Sequence, residues 1–346
     1  MAETTDEGSE KPRAPFWHRL RLPVFRRGGG RDPIPTVAEP ATRWRRVKLA
    51  TAAVALVLGL YYPVGMLWVN RINDDLSFGA SNLVVPNGAS RAVAIAAALI
   101  QREVVDGHWT ANDPFFMPAA ALDNMPNFQQ GIIAALARFT FELTDQIGRV
   151  RGSSRTDPDL QEAAGLLQYS GTKWVFDFAT SLAPTATSEA QYARARIVLL
   201  KYNQRLSQGN AVFERRADNL LATLDRIALD IGSTSASLYD RIGAGGGWLD
   251  THSDDVFYGV KGQVYAYYLL LRELQRDFAN VIAEKELGGA YAQLLESLAQ
   301  AVQVDPWYIV NGAPDAQFAP NHLAAEGFFV LRARTQLREI TDILLK

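Results

Sequence analysis

The twenty-one residues from Leu49 to Val69 contain no charged side chain. At roughly 1.5 Å of rise per residue, a helix of that length covers about 30 Å, one bilayer core. Its flanks are unequal. Arg43, Arg45, Arg46 and Lys48 precede it, while Asn70, Arg71, Asn73, Asp74 and Asp75 follow. The basic excess predicts an N-terminus in the cytoplasm and residues from 70 onward outside. Trp44 and Trp68 mark the two ends, where amphipathic rings favour the interface. Pro63 and Gly65 lie inside the span, which a bilayer tolerates. The stretch is longer than the apolar region of a cleaved signal and lacks a small-x-small site, so it is expected to remain as an anchor. The Arg45-Arg46 pair reads as part of the positive flank rather than as an export signal.

Charge divides at the span. Residues 1–48 carry eleven basic and six acidic groups, and the net charge of −2 for the whole chain leaves −7 for residues 49–346. An exported body this acidic argues against nucleic-acid binding. There is no cysteine, which excludes disulfides, thiolate metal sites and cysteine nucleophiles. The expected organisation is a disordered basic tail over 1–48, a transmembrane helix over 49–69, a linker over 70–89 and a helical periplasmic domain over 90–346. Within the tail, Phe16 to Arg27 interleaves arginines with aromatics. It reads either as a lipid-headgroup contact or as a solvated, orienting charge.

Beyond residue 90 the apolar periodicity is helical, with no sustained strand alternation, and predicts an all-α bundle of seven or eight helices. Asp157-Pro158 reads as an N-cap followed by proline at the first helical position. Ser188 with Gln191 reads as a capping box. The stripes Tyr192–Leu206 and Phe213–Ile231, separated by a Ser-Gln-Gly-Asn turn, predict an antiparallel hairpin. Glu273 and Asp277, among Arg272 and Arg276, read as a solvated face with ion pairs. Three irregular stretches remain, at about 107–126, 243–252 and 303–320, and loops of this length are often functional.

The candidate cleft residues sit at these stretches: His108, Trp109, Asp113, Trp248, His252, Asp254, Asp255, Trp307, Tyr308 and His322. Aromatics of this density suit sugars or peptides, with anchoring of the loops to the bundle as the plainer reading. His252, Asp254 and Asp255 are the most metal-like group, but their spacing matches no metal motif and a structural helix cap explains them better. Arg149, Arg151 and Arg155 form a candidate anion site, with closure of a helix C-terminus as the plainer reading. Gly243, Gly245, Gly246 and Gly247 lack the ending of a phosphate loop and read as a hinge. Glu296-Ser297 lacks the accompanying motif of a helical lytic transglycosylase. No catalytic set, cofactor or metal site is expected.

The runs Asn112-Asp113-Pro114, Leu122-Asp123-Asn124-Met125-Pro126-Asn127-Phe128-Gln129-Gln130-Gly131 and Arg215-Arg216-Ala217-Asp218-Asn219-Leu220 resemble a bacterial family catalogued as domain of unknown function number twenty-three thirty-three. The likeness covers roughly residues 45–346 and implies a single-pass membrane protein without assigned activity. The leading expectation is an envelope interaction or scaffold module, anchored in the inner membrane, with an envelope protein partner. The alternative is a glycan- or lipid-binding module, or a cell-wall-acting enzyme, using loops 107–126, 243–258 and 303–322. That alternative requires the three loops to converge on one cleft.

Overall fold

The computed structural model describes residues 40–147, 156–176, 183–245, 250–313, 317 and 319–346. The tail stretch Phe16–Arg27 and the residues Arg149, Arg151, Arg155 and Trp248 lie outside them. In the first of two units the described residues, 40–55, form the start of α1 (Pro40–Val69). That helix takes in the basic flank as well as the apolar span, and Arg43–Val69 is long and apolar enough to cross a membrane.

The second unit, residues 56–346, is all-α. After the last turns of α1 come α2 (Arg91–Ile100), α3 (Asn124–Glu142), α4 (Pro158–Leu167), α5 (Ser188–Ser207), α6 (Ala217–Ala244), α7 (Thr251–Asp277), α8 (Ala279–Glu284), α9 (Gly288–Val302) and α10 (His322–Leu344). Eight of these nine have ten residues or more. Wider π turns extend α2 through Asp106 and α3 through Ile147. Among the described residues, the bridge between Asn311 and Asn321 is the one β-type pairing.

α7 is the central helix and packs on α3, α9, α2, α6 and α10. Its apolar residues, from Phe257 to Leu274, are buried around its whole circumference, as expected of a helix with neighbours on every side. Its crossing with α3 is backbone against backbone. A Cβ on Gly131 would lie 2.1 Å from the Gly259 carbonyl oxygen, and one on Gly262 would lie 2.0 Å from that of Phe128.

α7 also carries polar groups that bind the chain between α1 and α2. The buried Lys261 ammonium meets Asp74 at 2.9 Å and Asp305 at 3.2 Å. The Tyr265 hydroxyl donates to the Asp75 carbonyl at 2.9 Å. Arg272 donates to the carbonyls of Leu76 and Phe78, both at 2.7 Å. Asp277 then closes the N-terminus of α2, accepting from the Ser90 hydroxyl and from the Arg91 and Ala92 amides. Glu273 is fully buried and accepts from Arg91, Arg272 and Arg276. The face carrying Glu273 and Asp277 is therefore interior, not solvated. Its charges are tolerated inside because each has partners.

Two other expectations are corrected. α5 packs on α4 and α2, whereas α6 packs on α10, so the two do not pair as a hairpin. The connection runs from Gln208 to Arg216 and is itself anchored. Phe213 is buried beside Phe278, with ring centroids 5.9 Å apart, and Tyr202 donates to the Val212 carbonyl. The cap of α5 is Thr187, whose side chain accepts from Ala190. Ser188 turns away to bond the backbone of Ser170 and Lys173. Asp157 caps α4 as expected.

The glycine crossing yields a direct test. Gly131→Ala and Gly262→Ala force the two backbones apart and are expected to cost about 3 kcal/mol or more. Gly165→Ala, inside α4 with open space at its Cβ position, is expected to stabilise by about 0.5–1 kcal/mol. Denaturant unfolding of the three variants distinguishes these outcomes.

Candidate functional site

A groove runs along α3, between α4 on one side and α6 with α7 on the other. It consists of three joined hollows. The first, about 420 Å³, is lined by Phe141, Thr144, Asp145, Thr156, Gln161 and Gln168. The second, about 410 Å³, shares Phe141 and Gln168 with it and adds Arg138, Asp230 and Gln263. The third, about 310 Å³, shares Asp230 and Gln263 and continues past Ser233, Thr234 and Ser237 to Asp255.

The middle of the groove is held by groups beneath it. Asp230 on α6 accepts from the Gln263 amide at 2.6 Å and from the hydroxyl of the fully buried Tyr267. Burial and the neighbouring Asp230 carboxylate push the Tyr267 hydroxyl well above its ordinary pKa, so it remains a donor. The Gln263 carbonyl in turn accepts from Thr234 at 2.7 Å. These bonds fix the amide orientation and leave the Arg138 guanidinium, 3.6 Å from Asp230, facing the groove. Phe141, 44% exposed, supplies an apolar shelf where the first two hollows join. The combination of fixed donors and acceptors with one aromatic face suits a hydroxyl-rich ligand.

Near the Asp255 end stand Asp123, Asp254 and Asp255, with one oxygen from each lying within 4.8 Å of the others. Among the described residues this is the one His/Asp/Glu group close enough to share a cation. Asp123 precedes α3 but makes no capping bond. Burial and the neighbouring Asp255 carboxyl push Asp123 up to about 6. Asn127 donates to Asp255 at 2.7 Å and orients it.

The residues singled out from sequence fall in separate places. His108 hydrogen-bonds Asp113 at 2.9 Å, and this bond raises its pKa. Trp109 is buried, donates to the Gly171 carbonyl at 2.8 Å and packs edge-on to Tyr192. It anchors its loop to the bundle. His252 is exposed, 3.4 Å from Asp255, and the cap of α7 is Asp250. His322 accepts from the Val310 amide at the start of α10, and burial lowers its pKa. Trp307 is fully exposed and Tyr308 partly so. Among the described residues, loops 107–126 and 243–258 meet at the Asp123, Asp254 and Asp255 group, whereas Asp305 and Asn311 of the third loop bond to Lys261 on α7 and to the Arg241 carbonyl on α6. Of the nine cleft candidates among the described residues, Asp255 alone is among those that line the groove.

Arg138, Asp230 and Gln263 were not singled out from sequence. The available signal was Thr234, a polar residue that continues the buried stripe Leu224, Ile227, Ile231 and Leu238. One more group stands apart from the groove. Glu326 on α10 is fully buried with neither oxygen hydrogen-bonded, and burial holds its pKa well above the ordinary range.

Asp123 and Glu326 set a pH dependence of one sign. Both bind a proton more tightly folded than unfolded, so stability falls as pH rises above the unfolded value. For Asp123 that loss develops between 3.8 and about 6 and is complete above. Glu326 extends the loss to higher pH. Thermal unfolding across pH is expected to show Asp123→Asn flattening the acidic part of the slope. Glu326→Gln is expected to raise Tm at neutral pH, and an unchanged Tm there excludes the assigned burial penalty.

A family model described as uncharacterized protein conserved in bacteria (DUF2333) matches residues 47–246 and 244–346. No curated protein and no solved structure matches the chain.

Proposed function

The chain belongs to this bacterial family, DUF2333, and from that premise we propose that it is an envelope protein anchored by α1 in the inner membrane. Its helical body is a periplasmic interaction module that binds a glycan along the α3 groove. The family carries no assigned reaction, and none is needed for this role. Support for the anchor comes from the apolar helix Arg43–Val69. Support for the orientation comes from the basic residues Arg43, Arg45, Arg46 and Lys48 before it.

The observation that carries the glycan reading is a continuous groove of mixed polar and apolar lining with preset hydrogen-bonding groups at its centre. Sugar rings offer hydroxyls to a carboxylate, an amide and a guanidinium held in fixed positions, and an apolar face to Phe141. Among the described residues, Arg138 is the one basic side chain lining the groove, beside Asp145, Asp230 and Asp255.

The test is titration of the full-length protein, in nanodiscs, with N-acetylglucosamine oligomers. Arg138→Ala and Gln263→Ala are expected to weaken binding about tenfold each, the equivalent of roughly 1.4 kcal/mol. Absence of binding to oligomers of any length rejects the glycan assignment and leaves the groove to a protein partner.

A further inference from the structure

Residues 114–122, Pro-Phe-Phe-Met-Pro-Ala-Ala-Ala-Leu, contain no charged or hydrogen-bonding side chain. They lie against the last turns of α1. The Tyr62 hydroxyl donates to the Phe115 carbonyl at 2.7 Å. Gly65 provides the seat for Pro118, since a Cβ there would come 2.3 Å from the Pro118 Cγ. Tyr62 is seven residues before Val69, which puts it about 10 Å inside the end of the apolar span at roughly 1.5 Å per residue. That depth is measured from the C-terminal end of the span and does not depend on which side of the membrane it faces. The loop therefore sits at the level of hydrocarbon wherever α1 does.

The loop is equipped for that environment. Phe115 is 85% exposed and Phe116 47% exposed. Phe116 continues edge-on to Trp174, at 6.1 Å, which widens the apolar surface. An unpaired backbone group is costly in lipid, and non-helical backbone is tolerated at that depth where it packs against protein, as this loop does against Tyr62 and Gly65 of α1. Pro114 and Pro118 carry no N–H. The amides of Met117, Ala120 and Leu122 donate within the loop to Pro114, Met117 and Ala119, at 2.8, 3.1 and 3.2 Å.

We propose that residues 114–122 form a wedge embedded in lipid acyl chains beside α1, in the leaflet at its C-terminal end. The proposal rests on reading α1 as spanning the bilayer. With residues 74–78 bound along α7, the wedge gives the helical body a second point of attachment, and so a set orientation at the membrane surface.

The chain has no cysteine, so single-site labelling needs no background substitutions. Phe115→Cys, Leu58→Cys near the middle of the span, and Tyr239→Cys on the exposed face of α6 are each labelled with an environment-sensitive nitrobenzoxadiazole dye. The full-length protein is placed in phosphatidylethanolamine–phosphatidylglycerol nanodiscs containing lipid with a nitroxide on its acyl chain. The expected result is loss of emission at positions 115 and 58, a blue shift at 115 relative to 239, and no loss at 239. Quenching at 58 without quenching at 115 overturns the wedge and leaves the anchor standing. Absence of quenching at 58 overturns the anchor and the wedge together.

Discussion

The close crossing of α3 and α7 sets the geometry of everything around it. Gly131, Gly259 and Gly262 remove the side chains that would hold two helices at ordinary spacing, and the backbones come into contact. Helices this near bury little side-chain area directly at the crossing. What they gain is room for larger neighbours on either side, and α7 uses it by taking α2, α6, α9 and α10 around its remaining circumference. The groove lies along the same crossing. Arg138 on α3, Asp230 on α6 and Gln263 on α7 reach one another because the helices that carry them are drawn together there.

α7 is unusual in being both the central helix and a carrier of buried charge. Lys261, Arg272, Glu273 and Asp277 are all buried on it. A buried charge is costly unless partners replace its water. Here the partners are chiefly the backbone of residues 75–78, the amides at the start of α2 and the carboxylates of Asp74 and Asp305. The charges thus specify where otherwise irregular chain must lie. The segment leaving α1 is bound residue by residue along α7, so the direction of α1 at its C-terminal end is coupled to the body by hydrogen bonds rather than by a free linker.

The unpaired carboxyls have a different character. Glu326 has no hydrogen-bond partner among the described residues, and Asp123 is pushed up by burial and by the Asp255 carboxyl beside the groove end. Both reduce stability at neutral pH relative to neutral isosteres. Strain of this kind tends to persist where it serves a site. Asp123 stands next to the groove and fits that pattern. Glu326 has no such neighbour, and nothing in the structure accounts for it.

The sequence by itself determined the class of the molecule. A charge-free span with unequal flanks, helical periodicity throughout and caps such as Asp157 depend on local chemistry, and local chemistry is written in consecutive residues. The runs that carry the family likeness are legible in the same way, and several of their members have structural tasks. Gln129 accepts from Thr110 and donates to the His108 carbonyl, Asn112 reaches Glu189, and Gly131 is the crossing itself. Only the tertiary structure decided which helices are neighbours. The turn before α6 looked short enough for a hairpin, but Phe213 and Tyr202 bury that connection and send α6 to α10. The same holds for the groove. Its residues come from four helices spread over more than a hundred positions, and each alone reads as an ordinary polar residue on an amphipathic face. The conspicuous loop aromatics and histidines drew attention because they are chemically distinctive, yet burial assigned Trp109 to anchoring, and the groove is built from helix faces.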